Sequence, residues 1–209
     1  MYYRTEGVIL FRRNFGEADR ILTFYTRDLG KLYALAKGVR RPKSRKGGHV
    51  EIGNWCKIFI AKGKNLDLLN EVETKKAYGI SDFSPHKANK IFHLLELVDK
   101  LTAEKQKNIK VFSLLIEFLQ KIVNAEDFKL LSIVFKIKLL SLLGFFSAKN
   151  LSNSANRNLY LFIEDEGWYE IKKKINLNNQ GYLKVTSFLD SIIESITQSK
   201  LNTIRFING

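Results

Sequence analysis

Apolar and polar residues over the first 79 positions fall into short runs, each eight to twelve residues long, broken by turn-forming residues. Runs rich in Ile, Val, Thr, Tyr and Phe predict five strands at about 3–14, 20–27, 31–38, 55–62 and 66–77. Asn14-Phe15-Gly16, Asp28-Leu29-Gly30 and Lys62-Gly63-Lys64-Asn65 supply three of the turns between them. Five short strands with one long loop suit a small Greek-key barrel. In the second run Ile21, Thr23 and Tyr25 alternate with Leu22, Phe24 and Thr26. Both sets are fairly apolar, so alternation alone leaves the inward face open.

At Ser84-Pro85 the period changes, since a good N-cap followed by proline in the first turn opens a helical region. Ile91, Leu94, Leu95, Val98 and Leu101 recur at helical spacing, and so do Phe112, Leu115, Phe118, Leu119 and Ile122. The next segment, Phe128 to Leu143, is apolar nearly all round, which predicts the most buried helix of a bundle, closed by Gly144. A Ser/Asn-rich linker runs from Ser147 to Asn158. Leu159 to Ile163 and Trp168 to Ile171 flank Glu164-Asp165-Glu166-Gly167, a pattern that predicts a β-hairpin at about 158–172. Val185, Phe188, Leu189, Ile192 and Ile196 mark a last amphipathic helix, and Thr203 to Ile207 give no clear signal. The expected fold class is α+β: a five-stranded OB-fold barrel over residues 1–80, then a helical-bundle domain over 81–209 with a small inserted hairpin.

Charge sharpens this picture. The chain carries a formal +14, and a pI near 9.8 makes nucleic acid the leading partner class, ahead of an anionic membrane surface. Residues 1–80 hold 17 Lys/Arg against 8 Asp/Glu, and eight of the ten arginines lie within residues 1–45. From Lys31 to Lys46 there are seven cations and no acid. A flexible solvated loop and a phosphate-binding loop both fit such a run. As a DNA interface it makes Arg40, Arg41, Lys43, Arg45 and Lys46 the first candidates for phosphate contact, with Arg20 and Lys37 next as strand residues near the same end. Tyr25, Tyr33 and Trp55 are either stacking platforms for bases or packing residues, Tyr25 and Tyr33 being the candidates for stacking.

Other chemistry finds little support. One cysteine, Cys56, excludes an intramolecular disulfide and a multi-cysteine metal site, and it lies in an apolar run where it packs. His49, His86 and His93 match no metal spacing, and Gly63-Lys64 lacks the rest of a phosphate-cradling loop, so no metal and no cofactor is expected. The run Val8 to Phe11 is too short for a signal peptide. Leu130 to Phe146, broken by Lys136 and Lys138, is too short to span a membrane. The expected setting is cytoplasmic, with no membrane partner. Glu17, Asp19 and Asp28 are the carboxylates nearest the basic loop; ion pairing or turn capping is the expected role, and a metal-dependent nuclease the alternative. An RNA-binding OB-fold protein acting in translation is a second alternative.

Gly16-Glu17-Ala18-Asp19-Arg20, Thr26 to Leu32 and Ala36 to Arg45 together closely resemble the N-terminal signature of the RecO family of bacterial recombination mediators. Gly63, Leu66, Leu69, Glu71, Glu73 and the segment Leu139 to Phe145 continue the resemblance. It implies a non-enzymatic DNA repair and recombination protein, nucleoid-associated, that binds single- and double-stranded DNA and anneals complementary strands. It also implies work with RecR, and with the acidic C-terminal tail of single-strand-binding protein, to load a recombinase in the RecF pathway. Many members of that family carry two Cys-x-x-Cys pairs after the Leu-Gly-Phe segment. Here Ser147 to Glu170 has neither cysteine nor histidine, so the hairpin is expected to be a ribbon without zinc, held by Tyr160, Phe162 and Trp168.

Overall fold

A computed structural model of the chain describes residues 1–78, 85–122, 127–151 and 156–203. Five strands, β1 (Tyr2–Phe15), β2 (Asp19–Thr26), β3 (Gly30–Ala36), β4 (Trp55–Ala61) and β5 (Asp67–Lys76), close a barrel in the order 1-2-3-5-4. Neighbours are antiparallel except β3 and β5, and this order is that of the OB-fold. β1 is long because it serves two partners: Tyr2 to Val8 pair with β4, and Gly7 to Phe15 pair with β2. A bulge between Ile9 and Phe11 bends the strand from one partner to the other, which is how a small barrel turns its corner.

The two apolar sets of β2 are explained by two separate cores. Leu22 and Phe24 point into the barrel with Ile9, Leu32, Ile58 and Ile60. Tyr25 faces outward but joins Val8 and Leu10 under the helices, in a core shared with Leu94, Leu95 and Val98. Both faces are covered there, so alternation carried no contrast.

Six helices follow among the described residues: α1 (Pro85–Leu101), α2 (Ile109–Ile122), α3 (Phe128–Leu142), α4 (Arg157–Asp165), α5 (Trp168–Lys174) and α6 (Asn179–Thr197). The apolar spacings of α1 and α2 are buried as their period requires, and α3 is buried on nearly every side. Even Lys136 of α3 is inside, bonded to Asp190 of α6 at 2.6 Å. Asp127 caps α3 by accepting from the Leu130 amide, and takes the Tyr182 hydroxyl at 2.7 Å on its other oxygen. The expected Ser84 cap and the segment 204–207 lie outside the described residues.

The expected hairpin at 158–172 is instead the helix pair α4 and α5. A five-residue apolar run cannot be told from a buried helical turn by periodicity, and here Tyr160 and Ile163, three apart, are the buried pair. Glu166-Gly167 separates two helices rather than turning a hairpin. The packing role expected of the aromatics holds: Tyr160 stacks on Phe188 at 5.6 Å, and Trp168 meets Phe118 edge-on at 6.0 Å. In the expected linker, Ala148–Asn150 form a 3-10 turn and Asn156 precedes α4.

One contact ties the barrel to the helices along a strand edge. β5 covers β3 only at Ala34 and Leu35, leaving the earlier edge of β3 bare. The α1–α2 connection fills it: Glu104 bridges to Lys31, and the Lys105 amide donates to the Lys31 carbonyl at 2.8 Å. No described helix is long and apolar enough to cross a membrane.

Candidate nucleic-acid interface

The basic loop after β3 is fastened to the β1–β2 turn. The Gly38 amide donates to Asp19 Oδ1 at 2.7 Å, the Arg40 amide to the Ala18 carbonyl at 2.9 Å, and Arg40 Nη1 to the Gly16 carbonyl at 3.3 Å. Inside the loop, successive turns close from Arg41 to Gly38, from Ser44 to Arg41 and from Gly47 to Ser44. Val39 and Val50 plug into the barrel core at the loop's two ends. A segment with this many backbone partners has a defined shape, so the backbone that carries its cations is held in place.

The seven candidate cations separate into two groups. Lys37, Arg40, Arg41, Lys43 and Arg45 are exposed, and none of them forms an ion pair with a described residue. Arg20 is half-buried, 3.8 Å from Glu51, which also holds Arg12; Lys46 is half-buried and donates to the Leu69 carbonyl at 3.1 Å. Both of these also tie the loop region to the barrel. Lys31, the first cation of the basic run, turns the other way, with Nζ 2.6 Å from the Asp99 carbonyl under α1. Asp19 spends one oxygen on the loop amide, the turn-capping role. Among the described residues no cluster of His, Cys, Asp and Glu could hold a metal ion.

The two tyrosines also part. Tyr25 is fully buried between barrel and helices, its hydroxyl 3.4 Å from the Asn108 carbonyl, so it offers no face to a base. This corrects the stacking expectation for Tyr25: the outer face of β2 is covered at that end. Tyr33 stays half-exposed in a cleft of about 320 Å³ bounded by Arg13, Ile21, Asp67 and Glu104. Burial first, then the charges of Asp99 and Glu104, raise its hydroxyl above the usual tyrosine range. That end of the face is mixed in charge, Asp67 and Glu104 standing beside Arg13 and Lys105, and the loop end is basic. Trp55 is packed, donating to Glu6 with Lys75 4.0 Å above its ring.

Three residues that the sequence reading passed over complete the face. Pairing aligns Phe11 with Thr23 and Tyr33, Arg13 with Ile21 and Leu35, and Phe15 with Asp19. Phe11, Arg13 and Phe15 therefore project from one side of β1, spaced about 7 Å apart along the strand. Phe11 is 53% exposed and Phe15 52%. The alternation Phe11-Arg12-Arg13-Asn14-Phe15 was the available signal: an aromatic, a cation and an aromatic on every second residue.

The helical part holds a cavity of about 350 Å³ between α1, α3 and α6, lined by His93, Ser132, Lys136, Tyr182 and Asp190 with Lys129 and Leu183 at its rim. His49 is bonded to Thr74 at 2.9 Å and serves the barrel, while the His86 side chain lies outside the described set. Cys56 is buried and its thiol is pushed up to about 12 by burial, which keeps it protonated and unreactive at neutral pH.

Family models for the N-terminal and C-terminal parts of recombination protein O match residues 1–78 and 90–156. The DNA repair protein RecO of Bifidobacterium adolescentis is 42% identical over 118 residues, which are 54% of this chain and 47% of the relative. Those of Pelotomaculum thermopropionicum and Dehalococcoides mccartyi are 32% and 31% identical over 143 residues, 68% of this chain and 56% of each relative. The chain spans about half the length of the curated relatives it matches.

Proposed function

We propose that this chain, which belongs to the RecO family, is a non-enzymatic DNA repair and recombination protein that binds single- and double-stranded DNA and anneals complementary strands. One observation carries the reading: Lys37, Arg40, Arg41, Lys43 and Arg45 stand exposed on a loop fixed to the barrel, without carboxylate partners among the described residues. Such cations bind phosphate by releasing counterions, which needs no base sequence and fades as salt rises. Neutralising phosphate also lowers the repulsion between two complementary strands, the chief barrier to bringing them together.

Residues 1–80 form the DNA-binding unit in this proposal and 81–209 the platform for protein partners. RecR is one such partner. The acidic tail of single-strand-binding protein is the other, and the cavity beside Lys129 and Leu183 suits it, because a lysine stands at the rim of a partly apolar hollow. Its engagement would let the protein act on coated strands and help load a recombinase in the RecF pathway. Lys129→Glu is expected to weaken binding of a fluorescent tail peptide at least tenfold while leaving DNA affinity within twofold; an unchanged peptide affinity removes the tail from this cavity.

The test of the main reading is the annealing rate of two complementary DNA oligonucleotides, bare and then coated with single-strand-binding protein. Wild type is expected to anneal both, and the combined change Arg40→Ala, Arg41→Ala, Arg45→Ala to abolish the acceleration while the circular-dichroism melt stays unchanged. Five phosphate contacts give a log–log salt slope of about −3.5 on single strands, and the triple variant should lose about 2 of it. Wild type that binds DNA but never anneals sinks the proposal, and so does a slope untouched by the three substitutions.

A further inference from the structure

The outward side of the β1–β2–β3 sheet is divided. At one end Val8, Leu10 and Tyr25 lie under the helices. At the other, Phe11 and Phe15 stand half in solvent with exposed Arg13 between them, and no described residue forms an ion pair with Arg13. Two half-exposed rings flanking an arginine offer flat apolar faces beside a cation. Any occupant must also accept a row of cations, since this line of side chains runs into the β1–β2 turn on which the basic loop is fastened.

We infer that Phe11 and Phe15 are base-stacking platforms that make this face selective for single-stranded DNA, with Arg13 taking the phosphate between two stacked bases. This rests on the DNA-binding reading above and adds to it. Phosphate contacts from the loop are available to either form of DNA. Ring contacts are not, because a duplex hides its base faces in its own stack, whereas an unpaired strand can lay them on aromatic side chains. The spacing of about 7 Å between alternate residues on one side of a strand leaves room for the arginine to reach between neighbouring rings. Tyr33 lies in register with Phe11 across Thr23, where Asp67 and Glu104 offset Arg13 and Lys105, whereas the basic loop beyond Phe15 carries cations alone. The strand is therefore held from Phe11 towards the loop. Pairing withdraws bases from the rings, so an annealed product keeps the phosphate contacts and loses these.

The experiment compares wild type with Phe11→Ala/Phe15→Ala by fluorescence anisotropy, using an oligo-dT strand and a duplex of equal length at one salt concentration. Stacking of this kind is expected to be lost as a fall of about tenfold or more in oligo-dT affinity. Duplex affinity should stay within twofold and both salt slopes should be unchanged. A second variant, Phe11→Trp, keeps an aromatic ring: its fluorescence should be quenched by oligo-dT and unaffected by duplex. Equal losses on both DNAs, or no loss on either, overturn the inference while the DNA-binding proposal survives. Wild type that binds neither DNA takes that proposal down first. A wild-type dimer that the double alanine change converts to monomer, with DNA affinities unmoved, assigns the rings to self-association instead.

Discussion

Gly30→Ala is expected to be among the most damaging single methyl groups that can be added to the barrel. Gly30 has φ +70, and a Cβ built there would sit 2.1 Å from the Gln106 carbonyl oxygen and 2.5 Å from its carbon. The left-handed conformation alone costs a non-glycine residue about 1–2 kcal/mol. The collision adds to this, because the obstacle is backbone that cannot rotate aside. Moving residue 106 also pulls on the Lys105 amide bonded to Lys31 and on the bridge from Glu104, the contacts that cover the bare edge of β3. A total loss above about 4 kcal/mol is expected, in the range reserved for few substitutions. Gly16→Ala is the matched control, since Gly16 has φ +56 but nothing within 4 Å of its Cβ. It should cost only the conformational part, about 1 kcal/mol. Urea midpoints of the two variants separate the effects, and equal losses would mean that the seam at Gln106 yields freely.

The barrel and the first three helices were legible because each run answers to one environment. β4, for example, alternates buried Cys56, Ile58 and Ile60 with more exposed neighbours, and α1 buries its period-3.6 stripe. Legibility failed where two environments overlap. Tyr25 and Phe24 are adjacent and both buried, one under the helices and one inside the barrel, so no pattern within β2 separates them. The helix pair α4–α5 was hidden by the shortness of its runs; what makes them helical is burial of Tyr160 against Phe146 and Phe188 from distant parts of the chain. At the candidate interface the basic loop was visible as composition. Its division was not: Lys31 is drawn under α1 by the Asp99 carbonyl, and Lys46 onto β5 by the Leu69 carbonyl, both through partners far away in sequence. Phe11 and Phe15 read as ordinary strand residues because exposure depends on where the helices stop covering the sheet.

The buried ion pair between α3 and α6 carries the second large expectation. Lys136 is almost fully buried and Asp190 largely so, 2.6 Å apart. Asp190→Leu leaves an ammonium stranded inside and should cost about 3–5 kcal/mol. Lys136→Met/Asp190→Leu removes both charges and should recover most of that loss, since a buried pair is often no better than an apolar pair of similar volume. The same charge acts on His93. Glu96 only accepts, so the Thr203 hydroxyl donates to it at 2.6 Å, and the hydroxyl oxygen then receives His93 Nδ1–H at 2.9 Å. His93 Nε2 is left to accept from Ser132 at 3.0 Å. This neutral arrangement is enforced by burial first and by the Lys136 charge second, which together hold His93 well below the usual histidine range. The unfolded chain takes up a proton near pH 6.5 and the folded one refuses it, so stability falls as the pH drops below about 6.5 and continues to fall towards the lower native value. For one proton the slope approaches about 1.4 kcal/mol per pH unit. Urea unfolding at pH 7 and pH 5 should therefore show a smaller acid loss in His93→Gln than in wild type, the carboxylates contributing alike to both. The double variant at 136 and 190 should fall between them, because burial still disfavours the proton while the lysine charge no longer does. Acid losses equal across all three proteins would place the proton elsewhere and leave His93 a spectator.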